Sequence, residues 1–270
     1  MNYKLIAIDI DDTLLDDQKN ISTKNRLMIS QALAEDVKIV LCSGRPHKAM
    51  IKYADKLNIK GSDQYMITNG GAIIENMHGE FIMQKTLSNE FYRNFVAFTE
   101  TNDLSYCVFD VHGNIYTSNN YNINQYTVAM AFENNDGLHI RKPEDLSTNF
   151  EITKAVINGD ETKLDEITNF IKDSFADYFV VRTGVGYLEI FPNRVNKGNA
   201  VAFLANKLGI DLQEVMTIGD RDNDIPMLKV AGTGVAMGNA TAGSKAVCDY
   251  ITTDNNHDGV GNAIEKFLEI

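Results

Sequence analysis

Lys4-Leu5-Ile6-Ala7-Ile8-Asp9-Ile10-Asp11-Asp12-Thr13-Leu14-Leu15 is an apolar run of strand type that delivers acids to its C-terminal end. Residues two apart on a strand share a face, so a backbone extended to Asp11 points Asp9 and Asp11 into one site. Like charges placed together repel unless a cation or a proton sits between them. Taken alone, such a pair also reads as turn chemistry, because Asp is a common turn residue. The rest of the chain decides between the two.

Downstream, residues 24–35 carry Leu27, Met28, Ala32 and Leu33 among polar residues, a helical pattern, and Val37-Lys38-Ile39-Val40-Leu41 follows as a buried strand. The pattern then repeats. Met50, Tyr53, Ala54 and Leu57 fall at i, i+3, i+4 and i+7, and Tyr65-Met66-Ile67 reads as a third strand. Strand alternating with helix predicts a parallel sheet with helices on its faces. From Ala72 the signal changes: Ala72-Ile73-Ile74 and Phe81-Ile82-Met83 flank a His78-Gly79 turn, as in a hairpin. A mixed segment follows. It holds a helix with Phe91, Phe95 and Phe98 on one stripe, short strands around His112-Gly113-Asn114, a helix after Asp160, and a strand at Tyr178-Phe179-Val180-Val181. The alternation returns at Lys197, with Val201, Leu204, Ala205 and Leu208 on one helical face, Gly209 as its stop, and Val215-Met216-Thr217-Ile218 as a strand ending in Gly219-Asp220. Gly234-Val235-Ala236-Met237 and Tyr250-Ile251-Thr252 are further short strands. The predicted class is α/β, with a core split over residues 1–83 and 190–270 and an α+β domain inserted at residues 84–189.

At 270 residues and 44% hydrophobic, the chain can build a large core. A net charge of −12 with no local basic cluster argues against sequence-independent binding of nucleic acid, so any anionic partner must be held by a local site. Cys42, Cys107 and Cys248 are scattered, with no CxxC, as expected of a reduced, cytoplasmic protein. No basic stretch followed by a long apolar core opens the sequence, and no run is long enough to span a bilayer; no membrane partner is expected.

Four polar groups sit where strands end or helices begin: Asp9 with Asp11, Ser43-Gly44, Lys197-Gly198, and Gly219-Asp220 with Asn223 and Asp224. In an open parallel sheet the carboxyl ends of the strands are where ligands bind. Singly, each is ordinary: a turn, a solvated lysine, a loop and helix cap. Together and in order, Asp9-Ile10-Asp11-Asp12-Thr13, Ser43-Gly44-Arg45, Lys197-Gly198 and Gly219-Asp220-Arg221-Asp222-Asn223-Asp224 resemble the four motifs of the haloacid dehalogenase-like hydrolases. The insert, the Thr68-Asn69-Gly70-Gly71 turn, and the stretches Gly234-Val235-Ala236-Met237-Gly238-Asn239-Ala240 and Asp258-Gly259-Val260 are similar to the Cof-type subfamily. Leu188-Glu189-Ile190 ahead of Arg194-Val195-Asn196-Lys197-Gly198 resembles its bacterial sugar phosphatases. Two departures are visible: Asp12 stands where Gly is common in the family, and Ser43 where Thr is common. Ser keeps the hydroxyl and Asp tolerates turn geometry.

The resemblance implies a Rossmann-like core with a cap, and a Mg²⁺-dependent phosphatase acting on small phosphorylated metabolites, sugar phosphates first among them. A phosphate monoester resists attack by an anion, so its hydrolysis needs charge neutralisation and an in-line nucleophile. Asp9 fits the nucleophile, giving an aspartyl phosphate, and Asp11 the general acid and base. Asp9 and Asp220 are expected on Mg²⁺, with the backbone carbonyl of Asp11 by resemblance. Asp224 is either a ligand or an outer carboxylate, the second being favoured because Mg²⁺ retains waters. The Ser43 hydroxyl, backbone amides near Ile10 and Gly44, Lys197 and Asn223 are expected on the phosphoryl oxygens. Lys197 opens a helix, which adds the positive helix end to its own charge. Arg45 either reaches substrate or pairs with a surface acid. Two rivals are a phosphomutase or phosphotransferase of the same superfamily and a phospho-Asp signalling module; the acid at i+2 and the insert oppose the module. A monomer or weak homo-oligomer is expected.

Overall fold

The first strand, β1 (Leu5–Asp9), is buried at every position, as expected of a strand central to a parallel sheet and covered on both faces. The computed structural model describes residues 3–118, 122–134 and 137–269. After β1 a single tight turn, Ile10–Leu14, leads on to α1 (Thr23–Ala34), β2 (Lys38–Cys42), α2 (His47–Lys56), β3 (Tyr65–Thr68), β4 (Ile73–Asn76) and β5 (Phe81–Gln84). Then come α3 (Asn89–Thr101), β6 (Tyr106–Phe109), β7 (Ile115–Thr117), α4 (Gln125–Glu133), β8 (Leu138–Ile140), β9 (Lys154–Asn158), α5 (Glu161–Ser174), β10 (Phe179–Gly184) and β11 (Tyr187–Phe191). The chain closes with α6 (Lys197–Leu208), β12 (Val215–Gly219), α7 (Ile225–Val230), β13 (Thr233–Ala236), α8 (Ala242–Lys245), β14 (Tyr250–Ile251) and α9 (Gly259–Leu268).

The chain divides into two compact units, one comprising the residues up to Gly44, Met50–Ile82 and those from Asn196 on, the other Arg45–Ala49 and Met83–Val195. The first is built on the sheet β14-β13-β12-β1-β2-β3-β4-β5. Its first six strands pair in parallel, and β4 turns back antiparallel on β3. The sheet is therefore mixed, since the hairpin that interrupts the sequence rhythm joins its edge. Strand order runs one way from β1 to β3 and the other way from β12 to β14, so the direction of winding reverses between β1 and β12. Right-handed crossovers then put α1 and α7 on opposite faces. Ile6, Ile8, Ile39, Leu41, Met216 and Ile218 pack with Met28, Ile29 and Ala32 of α1 and Val260, Ala263 and Ile264 of α9. On the other face, the Thr217 hydroxyl donates to the Met227 carbonyl of α7.

The second unit carries the sheet β10-β11-β9-β6-β7-β8. Phe91, Phe95, Leu164, Ile171 and Phe175 from α3 and α5 and the segment after it cover one face, against Tyr106, Val108, Ala155, Ile157, Leu188 and Ile190. Each such fully buried side chain contributes roughly 1.5–3 kcal/mol. Its opposite face holds Cys107, Phe109, Ile115 and Val156 under Met130 and Ala131 of α4. On β9 and β11 the buried Lys154 donates to Glu189 Oε1 at 2.6 Å, with the ammonium 4.5 Å from the Phe109 ring centre. The molecule is thus an α/β core carrying a second, inserted sheet.

Candidate active site

A reversal of winding leaves a crevice at the carboxyl ends of the two strands beside it, the place where open α/β sheets bind ligands. β1 ends there on Asp9 and β12 on Gly219, with Asp220 next. Asp9, Asp220 and Asp224 are all buried, and a carboxylate oxygen of each lies within 4.8 Å of the others. Lys197, 1% exposed, donates to Asp9 Oδ1 and, at 2.6 Å, to Asp224 Oδ1. Local chain geometry explains each position. Asn196 caps α6 by accepting the N–H of Asn199 at 2.8 Å, which fixes Lys197 in the first turn. A Cβ on Gly71, which has φ +100°, would stand 2.4 Å from the Asn196 carbonyl oxygen, so only glycine lets the start of α6 come this close. The same turn is tied to the end of β2, where Gly70 N–H donates to the Ser43 carbonyl at 2.9 Å. On the far side, Asp224 Oδ2 accepts the N–H groups of Asp220 at 3.0 Å and Arg221 at 3.1 Å, closing the loop after β12 on itself.

Burial, and then the neighbouring Asp224 carboxylate, push Asp9 well above the usual carboxylate range, and Lys197 opposes them. Burial and Asp224 likewise push Asp220 up to about 7, against Arg221, Lys197 and the Thr13 hydroxyl. Burial works against the charge of Lys197, but Asp224 and Asp9 outweigh it and hold the ammonium protonated. Cys42, beside Asp9 at the end of β2, is kept as a neutral thiol by burial, so the carboxylate has no competing sulfur nucleophile there.

The donor set suits a divalent cation. Three buried carboxylates have one buried ammonium among them, and burial followed by the neighbouring Asp224 charge raises the pKa values of Asp9 and Asp220. Both oxygens of Asp224 already accept hydrogen bonds. Asp9 uses one on Lys197, and Asp220 uses Oδ1 on Thr13 at 3.0 Å. The second oxygen of Asp220 accepts no hydrogen bond among the described residues, and hard cations of the Mg²⁺ type take carboxylate oxygens of this kind, with Asp9 beside it in the same cluster.

The other expected residues are placed as follows. Ile10 and Ser43 are buried directly after β1 and β2. Gly44 follows Ser43 in the turn after β2. Asp11 stands apart from the three clustered acids, with Oδ1 3.7 Å from Lys19 Nζ, because the chain leaves the strand at Ile10 and turns through a left-handed Asp12. Asn223 lies in the loop after β12 with its amide oxygen buried and without a hydrogen-bond partner among the described residues. Arg45 groups with the second unit and donates to the Glu133 carbonyl at 2.8 Å. Two participants were not singled out from the sequence: Thr13, which bonds Asp220, and the ion pair of Arg221 with Asp12 at 2.8 Å. Both join residues far apart in the chain, and no local pattern announces such pairs.

The family model of the haloacid dehalogenase-like hydrolases matches residues 6–264. YxeH of Bacillus subtilis (strain 168) is 36% identical over 272 residues, covering 98% of each chain. The 5-amino-6-(5-phospho-D-ribitylamino)uracil phosphatase YcsE of the same organism is 29% identical over 268 residues, covering 99% of this chain and 97% of its own. Among solved structures, the HAD subclass IIB sugar phosphatase BT4131 is similar with a TM-score of 0.86 and 25% identity, over 99% of this chain and 100% of that one. With its motif carboxylates and lysine gathered at the switch point and its whole length matched, this chain belongs to the haloacid dehalogenase-like hydrolases, as a phosphatase of their Cof-type branch.

Proposed function

We propose that the protein hydrolyses phosphate monoesters of small metabolites, sugar phosphates foremost, with Mg²⁺ as cofactor and an aspartyl phosphate on Asp9 as intermediate. The observation that carries this reading is the buried Asp9 carboxylate, held through one oxygen by Lys197 while the other accepts no hydrogen bond among the described residues. That free oxygen attacks phosphorus in line with the departing ester oxygen; the new bond is Asp9 O–P and the bond lost is P–O to the leaving group. Asp11, more exposed and outside the carboxylate cluster, gives its proton to the leaving alkoxide and then takes one from the water that hydrolyses the intermediate. Lys197 and the Ser43 hydroxyl hold phosphoryl oxygens as charge shifts onto them, joined by Asn223 and the amides near Ile10 and Gly44. Asp9 and Asp220 would hold Mg²⁺, with Asp224 fixing the loop behind them, and the ion would supply positive charge against the clustered carboxylates. The likeness to the sugar phosphatase BT4131 supports sugar phosphates as the first substrates to test.

The test is phosphate release from a panel of sugar, nucleotide and aryl phosphates, with acid-quenched single turnovers searched by mass spectrometry for a phosphoryl group on Asp9. Turnover without phosphate release, the group passing to a second sugar hydroxyl, means a phosphomutase. A phosphoryl group that stays on Asp9 for minutes means a signalling module.

Cation binding carries a pH signature. Asp9 and Asp220 bind protons in the folded metal-free protein at pH values where the unfolded chain has lost them, so folding stability without metal falls as pH rises from about 4 to about 7. Mg²⁺ displaces those protons. Its affinity therefore rises with pH through that window. Calorimetry in buffers of different ionisation heat should show more proton release at pH 6 than at pH 8, as Asp220 titrates between them; equal release at both would refute the assignment.

A further inference from the structure

Asp12 has φ +57°, a left-handed conformation that costs glycine nothing and other residues some strain. The side chain has specific work at that position. Its Oδ2 accepts from Arg221 Nη2 at 2.8 Å, its Oδ1 lies 3.5 Å from Lys19 Nζ, and its backbone carbonyl accepts from Asn239 Nδ2 at 2.8 Å. Arg221 faces a second carboxylate as well, with Nε 3.6 Å from Asp220 Oδ2, the oxygen that Thr13 does not hold. One guanidinium is thus shared between two acids, hydrogen-bonded to Asp12 and only in longer contact with Asp220. A guanidinium with one carboxylate to itself closes on it through two parallel hydrogen bonds.

We propose that Asp12 is a positioning residue: it draws Arg221 off Asp220 and so keeps the second oxygen of Asp220 open to a cation. The role rests on the reading of Asp220 as a metal ligand. It predicts opposite signs for the two partners. Without Asp12, Arg221 loses its competing acceptor, closes on Asp220 and weakens cation binding. Without Arg221, a positive charge leaves the edge of the site and binding tightens. Once Arg221 is gone, removing Asp12 has nothing left to release.

The probe is Mg²⁺ alone, titrated calorimetrically into the full-length metal-free protein without substrate. Asp12→Gly is well suited, because glycine adopts φ +57° freely and the turn is retained. Its Kd is expected to rise roughly tenfold, that of Arg221→Met to fall several-fold, and the double variant to match Arg221→Met, as contacting residues couple strongly. Asp12→Asn, which keeps an acceptor without the charge, should fall between wild type and Asp12→Gly, and answers the same question if the glycine variant does not fold. Wild-type affinity in both Asp12 variants, or a double variant as weak as Asp12→Gly, overturns the role of Asp12 while leaving the metal reading intact. A wild-type protein that binds no Mg²⁺ overturns both.

Discussion

Asp9→Asn loses turnover by about ten-thousand-fold or more, measured as phosphate release with any substrate, because an amide cannot serve as the nucleophile. The fold survives the change. An Asn side chain has the same shape and still accepts from Lys197, whose ammonium keeps its bond to Asp224. Stability moves the other way from activity. Burial and Asp224 make the Asp9 charge unfavourable in the metal-free protein, so the variant should gain about 1 kcal/mol, or roughly 2–4 °C in Tm for a chain of this size. A melt in EDTA checks the gain, and single turnovers of the variant should leave no phosphoryl group on the protein. Residual turnover near wild type would remove covalent catalysis through Asp9.

Lys197→Ala carries the second large effect, and it reaches both stability and catalysis. The ammonium is the buried cation between Asp9 and Asp224. Deleting one partner of a buried ion pair typically costs about 3–5 kcal/mol, because the remaining charge is left uncompensated. Here Asp9, which burial already pushes up, can take a proton. The deficit therefore grows as pH rises and shrinks in acid, which urea unfolding at pH 5 and pH 8 resolves. In turnover the loss of an electrostatic donor to the phosphoryl group costs roughly 10²–10³ in kcat/KM. Lys197→Met keeps most of the volume and separates charge from packing: equal losses in both variants assign the effect to charge. An unchanged kcat/KM would make Lys197 structural only.

The α/β alternation was legible because central strands such as β1 and β12 are short, mostly apolar runs and the helices between them carry one-sided stripes. Elements without such a stripe were not. In α4, Val128 and Phe132 are exposed while Thr127, Met130 and Ala131 are buried, so its apolar residues ring the helix and no 3.6-residue period stands out. β9 begins on a lysine, a residue that reads as solvent-facing until its buried partner Glu189 on β11 is known. The gathering of Asp9, Lys197, Asp220 and Asp224 followed from strand-end positions and motif order, since each lies at the end of a strand or the start of a helix. Asp11 shows where that reasoning stops. Period-two facing holds only while the backbone stays a strand, and the chain turns one residue after Asp9. The roles of Thr13 and Arg221 depend on partners that only the assembled loops bring into reach.

The reversal of winding between β1 and β12 also bears on how the protein is made. β1 leaves the ribosome long before β12, so one of its two neighbours in the sheet arrives only after the inserted unit has been synthesised, and the Thr13–Asp220 bond beside it spans 207 positions. Until then the nascent core presents an open apolar strand edge, the kind of surface that invites mispairing and chaperone capture. The inserted unit, continuous in sequence from Met83 to Val195 apart from the short Arg45–Ala49 stretch, has nearly all its partners at hand much earlier. The order of synthesis therefore favours a mature insert waiting on an unfinished catalytic half. A ribosome-stalled chain ending before residue 215 should be protease-resistant in the insert and sensitive in β1, and it should acquire cation binding only when β12 is released.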